Sequence, residues 1–460
     1  MSTDDMATTK IETSGHLLKH HLSSWLEEGD GHGLPDEAKA NKQLSPLAEK
    51  WPNMNFKNTQ ELVQGSIIKN DSKEGLRPKA LSEGCLRANA CKKIWWEPSK
   101  VTAAIVTCGG LCPGLNSVIR GVTNTLWWDY GVHKVLGMQA GYNGLSDPDK
   151  FKPIELTPQV VERIHLDGGS ILKAGRGGFD ADKILDGCKK MGVTMLFLVG
   201  GDGTQFAGNM LFEAAAKRKE PISIVGIPKS IDNDVPMFDK TFGFESAVAE
   251  ASEVIRNGYV EASSCDKGVG IVKLMGRDAG FVAMCAALAS DVVDLCMIPE
   301  VDVEFDDVLA HVDKTIERKG HMVIAVAEGA GQKFVATGKK DSTGHTVYGD
   351  IGVHLKEKVN EHLKPVGGRS FYIDPSYIIR SSPIRPNDHT FCSRLAIDAV
   401  HTAMRGYTGV CVGPLHNIIV ILPQSLVASG KKRVNVHRSA WQQCVQACGM
   451  PESLSGMADP

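Results

Sequence analysis

The chain has 460 residues, of which 42% are apolar, and its 51 Lys and Arg residues against 54 Asp and Glu residues give a net charge of −3. This length suffices for two or three domains with a sizeable core, and the balanced charge offers no general attraction to nucleic acid or to an anionic membrane. Because no apolar run approaches the roughly 18 residues of a membrane span and the N-terminus lacks a signal-peptide core, we expect a cytoplasmic protein.

The cysteine and histidine patterns do not indicate a zinc site. The 12 cysteines include no C-x-x-C pair, and the 15 histidines include no H-E-x-x-H pattern. Scattered thiols of this kind are usually reduced and structural in an intracellular protein of this size. We therefore expect neither a disulfide framework nor a zinc centre.

The chain has two successive regions that differ in composition and in hydrophobic pattern. Residues 1–92 are rich in charge, Ser, Asn and Gly, which predicts a partly ordered N-terminal extension. From Trp95 onward, short apolar runs alternate with longer amphipathic stretches in the manner of βαβ units. The second region is therefore expected to form parallel sheets flanked by helices.

Five of the apolar runs are followed by polar, glycine-rich loops. The runs at 103–106, 195–199, 224–227, 270–274 and 322–327 precede TCGGLCPGLN, GGDGT, PKSIDND, MGRDAG and EGAG, respectively. Ligands of open α/β sheets bind at the carboxyl ends of the strands, where glycine lets backbone approach closely and helix N-termini suit phosphate. Any one of these loops reads equally well as a tight βα turn, but together they predict a phosphate and metal site.

Several kinds of phosphate chemistry lose their usual support. The chain has no P-loop motif, no dinucleotide fingerprint at a strand–helix junction, and no H-R-D with D-F-G set. An acid among backbone N–H groups that pack against phosphate can hold Mg²⁺ directly or through water. Asp202 in GGDGT is therefore the metal candidate.

The PKSIDND loop places Asp232 and Asp234 two residues apart, and in an extended segment both would project to the same side. Neighbouring carboxylates oppose each other's ionisation, so one of them is a candidate base for a substrate hydroxyl. An Asx-type turn that only caps the next segment is the alternative.

The motifs CGGLCPGLN, GGDGT, PKSIDND, FGFESA, LMGRDAGF, AEGAG and YIDPSYIIRSSP occur in this order. The stretch from about residue 94 to 449 resembles the ATP-dependent 6-phosphofructokinases of the plant and trypanosomatid type. GGDGT alone also occurs in NAD kinases and diacylglycerol kinases, whereas PKSIDND with MGRDAG is far more specific. The resemblance implies two doubly wound, Rossmann-like α/β domains with the active site in the cleft between them, plus the N-terminal extension.

The resemblance also implies the role of each domain. Residues 93–240 would form the nucleotide-binding domain, to which part of 381–460 returns. Residues 241–380 would bind the sugar phosphate, and residues 381–460 would form a helical closing segment. It further implies an allosteric homodimer or homotetramer, although effectors are not carried over because DKGVGIVKL, before MGRDAG, lacks the bacterial cation pattern.

Residue roles carried over from the resemblance fall into two groups. On the donor side, Mg²⁺ with ATP would meet Gly109, Arg176, Gly177, Gly201, Asp202, Gly203 and Thr204. On the acceptor side, fructose 6-phosphate would meet Ser230, Ile231, Asp232, Met275, Gly276, Arg277, Glu328, Tyr377, Ile378, Ile379 and Arg380. The catalytic residues would be Asp232 as general base, Arg277 as a charge-stabilising group and Ser230.

Donor choice depends mainly on Gly203. In the family an Asp at this position accompanies pyrophosphate use, whereas Gly leaves room for the α-phosphate and favours ATP. Lys229 and the LCPG segment are features shared with pyrophosphate-dependent enzymes, so a pyrophosphate-dependent phosphofructokinase is the alternative. An NAD or lipid kinase and a non-catalytic sugar-phosphate-binding protein are more remote alternatives.

Overall fold

A computed structural model describes residues 43–51, 56, 62–63, 85–336, 338 and 347–457. Most of the predicted extension 1–92 lies outside the described residues. The described chain forms two compact units. The first contains the described residues up to Lys229, together with Val235–Thr241 and His389–Gly430, and the second contains Ser230–Asp234, Phe242–Asp388 and the described residues from Lys431 onward.

The strands and helices are numbered here in chain order over the described residues. The strands are β1 Gln43–Leu44, β2 Leu62–Val63, β3 Cys85–Arg87, β4 Lys93–Ile94, β5 Thr102–Thr107, β6 Lys134–Met138, β7 Ile154–Glu155, β8 Met195–Gly200, β9 Ser223–Pro228, β10 Gly268–Leu274, β11 Leu295–Met297, β12 His321–Ala327, β13 Arg369–Ile373, β14 Val410–Leu415 and β15 Ile418–Pro423. The helices are α1 Pro46–Lys50, α2 Leu115–Asn124, α3 Tyr142–Ser146, α4 Ala181–Met191, α5 Asp202–Arg218, α6 Phe244–Ser263, α7 Phe281–Ser290, α8 Phe305–Lys319, α9 Gln332–Val335, α10 Ile351–Leu363, α11 Ser376–Ser381, α12 Pro386–Met404, α13 Gln424–Val427 and α14 Ser439–Cys448.

The first unit is built on a nine-stranded sheet with the order β2-β3-β15-β14-β9-β8-β5-β6-β7. The central strands β14, β9, β8, β5 and β6 run parallel, and the outer pairs are antiparallel. All residues of β5, β8 and β9 are buried. Strands covered on both faces are typical of parallel sheets between helices, which explains why they appear in the sequence as continuous apolar runs.

The second unit is built on a four-stranded parallel sheet with the order β11-β12-β10-β13. Helices α6 and α10 pack on β10, and α6 also packs on α7. Its core is formed by apolar side chains of these strands and helices. Strands β10 and β12 are in register from Gly268 with His321 to Leu274 with Ala327, so their carboxyl ends lie side by side.

The structure confirms the expected α/β fold with two sheets of parallel strands. All five predicted apolar runs are strands, each extended by zero to two residues at either end. The chain crosses between the units several times, and the segment after Gly430 belongs to the second unit. Within the described residues, no helix combines the length and apolar character needed to cross a bilayer.

Candidate active site

The first unit brings three of the predicted loops to one edge of its sheet. Strands β5, β8 and β9 are parallel and in register, with Thr107 opposite Val199 and Gly200 opposite Pro228. The loops that follow these strands therefore start side by side. They carry the donor-side candidates of the CGGLCPGLN and GGDGT motifs as well as Lys229.

Gly109 and Arg176, both predicted donor-side residues, lie together beside Lys229. Gly109 has a φ of 87° and donates its backbone N–H to the carbonyl of Gly175 over 2.9 Å. The Lys229 ammonium donates to the Gly110 carbonyl over 3.0 Å, and a Cβ on Gly110 would lie 3.5 Å from the Arg176 guanidinium. Two cations therefore flank a glycine loop, an arrangement that suits a phosphate group.

The GGDGT motif forms the start of helix α5. Gly201 is the cap, Asp202 is the first helical residue, and its carboxylate accepts the backbone N–H of Gly203 over 2.8 Å. A Cβ on Gly203 would meet nothing within 4 Å, so the space beside this position is open. Thr204 is buried and its side chain packs against Gly200, so it stabilises the loop. Gly177, with a φ of 73°, is likewise open around its α-carbon.

The chemistry of this loop fits a Mg²⁺ ion that is coordinated mainly by substrate phosphates and water, with few protein side chains. No group of three or more His, Cys, Asp or Glu side chains among the described residues is arranged to hold a metal. Mg²⁺ usually keeps several waters and takes only one or two carboxylates together with substrate phosphates. Asp202, at a helix N-terminus beside open space, meets that requirement as a single carboxylate ligand.

The second unit contains Ser230–Asp234 of the PKSIDND motif, and these residues form a turn and not an extended segment. Asn233 adopts a left-handed φ of 56°, so the expectation that Asp232 and Asp234 project to one side of an extended strand was wrong. The reversal lets the Ser230 hydroxyl donate to the Asp234 carboxylate, four residues later, over 2.5 Å. The Asp234 carboxylate therefore has a hydrogen-bond donor within its own loop, which distinguishes it from Asp232.

Asp232 is held in a setting that favours its neutral form. The residue retains some exposed surface, but its Oδ1 atom is shielded from solvent and has no hydrogen-bond partner among the described residues. Burial raises the pKa of Asp232 to about 7, and the charges of Asp234 and Glu328 add to the rise. The Arg277 backbone N–H and the Lys431 ammonium act in the opposite direction. A carboxyl with this pKa can accept a proton near neutral pH.

The MGRDAG loop and Glu328 lie at the carboxyl ends of β10 and β12. Gly276 has a φ of 133°, and a Cβ there would come within 2.7 Å of the Ala279 carbonyl, so only glycine fits. The Arg277 guanidinium stacks 4.6 Å from the centre of the Tyr348 ring. Burial raises the pKa of Glu328, while Arg380, Lys273 and Arg277 oppose the rise. The Met275 side chain belongs to the core.

The YIDPSYIIRSSP segment forms the short helix α11. Tyr377 and Ile378 are 81% and 61% exposed, and the Arg380 guanidinium lies 5.9 Å from the Tyr377 ring centre. Ile379 is fully buried in the core, so a ligand role at this position would rest on its backbone. Ile231 is partly buried against the same core. Of the predicted 6-phosphate segment, Tyr377 and Arg380 therefore offer the polar side-chain groups.

Lys273 is a residue near this site that sequence reasoning missed. Its ammonium pairs with Asp350 at 3.0 Å and with Asp374 at 2.8 Å. The Asp374 carboxylate in turn accepts the backbone N–H of Ser376 over 3.0 Å and its hydroxyl over 2.6 Å. Lys273 thus ties β10 to the start of α11. A lone lysine in the apolar run GVGIVKL was the available signal.

Comparison with known proteins places this geometry in a family. The family model Phosphofructokinase matches residues 102–403. The chain is 41% identical over 424 residues to ATP-dependent 6-phosphofructokinase 5, chloroplastic, of Arabidopsis thaliana, covering 89% of this chain and 78% of that protein. It is 38% identical over 431 residues to ATP-dependent 6-phosphofructokinase of Borreliella burgdorferi (91% and 96%) and 42% over 365 residues to that of Trypanosoma brucei brucei (78% and 75%).

Solved structures agree on the fold. The crystal structure of pyrophosphate-dependent phosphofructokinase from Marinobacter aquaeolei matches with a TM-score of 0.64 at 20% identity, covering 78% of this chain and 93% of that one. The structure of Pichia pastoris phosphofructokinase in the T-state matches with a TM-score of 0.58 at 22% identity, covering 72% and 35%. At such identities the likeness concerns the fold alone. From the family match and the relatives together, the chain belongs to the phosphofructokinase family.

Proposed function

We propose that this protein transfers the γ-phosphoryl group of ATP to the 1-hydroxyl of fructose 6-phosphate, giving fructose 1,6-bisphosphate and ADP. The observation that carries the proposal is the Asp232 carboxyl: its Oδ1 atom is shielded, burial raises its pKa to about 7, and it accepts the backbone N–H of Arg277, which follows the carboxyl end of β10. The relatives at 38–42% identity, which are named ATP-dependent 6-phosphofructokinases, support the same activity and donor.

In this mechanism Asp232 accepts the proton of the 1-hydroxyl as that oxygen attacks the γ-phosphorus. Glu328 and the backbone of the Ser230 and MGRDAG loops orient the sugar, while Tyr377 and Arg380 receive its 6-phosphate. The guanidiniums of Arg277 and Arg176 stabilise the charge on the transferring group, because phosphoryl transfer depends on positioning and electrostatics more than on covalent help. Such a base typically contributes about 10²–10⁴-fold to the rate.

The donor is assigned to the first unit. Gly109, Arg176, Gly177 and the backbone from Gly201 to Thr204 would surround the phosphates. Asp202 would hold Mg²⁺ together with phosphate oxygens of the donor, and the ion would supply positive charge to the transferring phosphates. The open space beside Gly203 supports ATP, because it leaves room where a side chain would stand.

Pyrophosphate is the second candidate donor, and one observation favours it. The Lys229 ammonium sits over the Gly109–Gly110 loop, where it would add positive charge to a compact anion. The deciding experiment is turnover of fructose 6-phosphate with Mg²⁺, run in parallel with ATP and with pyrophosphate as the only donor. Activity with ATP alone supports the proposal, and activity with pyrophosphate alone would replace the donor but keep Asp232 as base.

The same assay addresses the remaining alternatives. Phosphorylation of NAD or of a lipid without response to fructose 6-phosphate would favour the corresponding kinases. Binding of fructose 6-phosphate without turnover would favour a non-catalytic sugar-phosphate-binding protein.

Location, assembly and control are parts of this proposal that need their own measurements. We propose a cytoplasmic, allosteric homodimer or homotetramer, which cell fractionation, light scattering and effector screens on the purified protein would test. One relative is named chloroplastic, so a plastid location is the outcome that would displace the first of these.

A further inference from the structure

We propose that Lys431 is a positioning residue that fixes, through two carboxylates, the loops that carry the base Asp232 and the cation Arg277. This inference rests on the proposed phosphofructokinase activity. Lys431 opens the segment that belongs to the second unit after the chain has passed through the first.

Lys431 bridges two acids from different loops. Its ammonium lies 2.5 Å from an Asp278 carboxylate oxygen and 3.3 Å from an Asp234 carboxylate oxygen, and its side chain is 31% exposed. Asp278 follows Arg277 directly in MGRDAG, and Asp234 closes the PKSIDND turn. One cation therefore joins the two loops on which the proposed chemistry depends.

The first branch leads to the base loop. The Asp234 carboxylate that pairs with Lys431 also accepts the Ser230 hydroxyl over 2.5 Å. The backbone of the next residue, Lys432, donates its N–H to the Asp234 carbonyl over 2.7 Å. The turn around Asp232 is thus held from outside its own sequence, by both the side chain and the backbone of the C-terminal segment.

The second branch leads to Arg277. Asp278, paired with Lys431, accepts the Tyr348 hydroxyl over 3.4 Å, and the Tyr348 ring stacks on the Arg277 guanidinium. The Lys431 hydrogen bond and charge hold the pKa of Asp278 below its ordinary value in spite of burial. Without Lys431, Asp278 and the Tyr348 ring would lose the contact that orients them.

Lys431 also affects the charge balance at Asp232. Asp234 and Glu328 face the base with negative charge, whereas the Arg277 backbone N–H and Lys431 favour its ionised form. Removing Lys431 leaves Asp232, Asp234 and Glu328 with one fewer neutralising group. The ionised base, which is the form that accepts the proton, then becomes harder to reach.

The test compares Lys431→Met with Lys431→Arg and with the matched control Lys333→Met. Lys333 is a good control because it also bridges two carboxylates of the second unit, Asp302 at 2.9 Å and Glu304 at 2.7 Å, and is 35% exposed. Each variant is assayed with Mg²⁺, ATP and fructose 6-phosphate over a range of pH, and thermal unfolding is recorded for each.

We expect Lys431→Met to lower kcat by about 10- to 100-fold, the effect of a catalytic geometry disturbed by about 1 Å, with less than a threefold change in the KM of fructose 6-phosphate. The acid limb of its kcat/KM profile should move to higher pH. Lys431→Arg should recover most of the turnover, and Lys333→Met should match the wild type in kcat and in the pH of its acid limb.

Two results would overturn the inference while leaving the proposed function intact. One is a Lys431→Met enzyme with wild-type kcat and acid limb; the other is a loss of kcat equal to that of Lys333→Met with an unmoved acid limb, which indicates general destabilisation only. Absence of fructose 6-phosphate turnover in the wild type would instead refute the proposed function.

Discussion

Replacing Asp232 by Asn removes the proposed base while keeping the shape of the side chain, and it should have opposite effects on turnover and on stability. Turnover should fall by about 10²–10⁴-fold, the usual contribution of a general base. Stability near pH 8 should rise, because the wild-type protein must keep a shielded carboxylate ionised at that pH whereas Asn is neutral at any pH.

The size of the stability effect follows from the pKa. Asp232 has a pKa of about 7 in the folded protein against an ordinary value of 3.8. Between these values the folded state retains a proton that the unfolded chain releases, so wild-type stability declines as pH rises from about 4 to 7. At about 1.4 kcal/mol per pH unit, the full penalty above pH 7 is on the order of 4 kcal/mol. Because Asp232 retains some exposed surface, this is an upper value.

Scanning calorimetry of the ligand-free wild type and Asp232→Asn, at pH 5 and at pH 8, measures the effect. The Tm advantage of the variant should be clearly larger at pH 8 than at pH 5. The exposed carboxylate Asp306 provides a control, since Asp306→Asn should show no such pH-dependent gain. An Asp232→Asn protein that is less stable than the wild type at pH 8, or whose advantage does not grow with pH, would refute the argument that Asp232 is held against ionisation.

Three further predictions concern donor choice, pH and substrate affinity. Gly203→Asp should fold normally, since the position is open and an acid suits the first turn of α5. It should lose ATP turnover by about 100-fold or more, because the new carboxylate repels the phosphates of ATP, whereas Gly203→Ala should lose far less. Equal ATP kinetics in both variants would contradict the proposal that the residue at position 203 controls donor choice. Wild-type kcat/KM for fructose 6-phosphate should fall about tenfold per pH unit below pH 7, and a limb centred near pH 4 would exclude Asp232 as the titrating base. Lys273→Met should raise the KM of fructose 6-phosphate about tenfold with kcat little changed, because α11 loses its ion-pair connection to β10. The control Lys358→Met, which removes only an exposed ion pair with Glu361, should leave the KM unchanged.

The local sequence determined the elements and the chemical character of their loops. The apolar runs at 103–106 and 195–199 are buried in a parallel sheet. Because both faces of such a strand are covered, every position is apolar, and the strand can be recognised in the sequence as a continuous apolar run. Glycine-rich, acidic loops directly after such runs must lie at the carboxyl edge, because strand direction is shared by parallel neighbours. For the same reason the loop that contains Gly109 and the start of α5 begin at one edge of the first sheet. Arg176 follows none of these strands and comes beside Gly110 only through the tertiary structure.

Only the tertiary structure decided how distant segments meet. The turn at Asn233, which overturned the extended reading of PKSIDND, depends on a backbone conformation that residue spacing does not reveal. Ile379 lies in the core although its motif suggested a ligand contact, because a short helix buries one side and exposes the other. The pairing of Lys431 with Asp234 and Asp278, and of Lys273 with Asp374, joins residues far apart in sequence. Local periodicity indicates which face of an element is buried. Which charged side chains form an ion pair depends on the strand order and on where the chain re-enters each unit, because only these bring the two groups together in space.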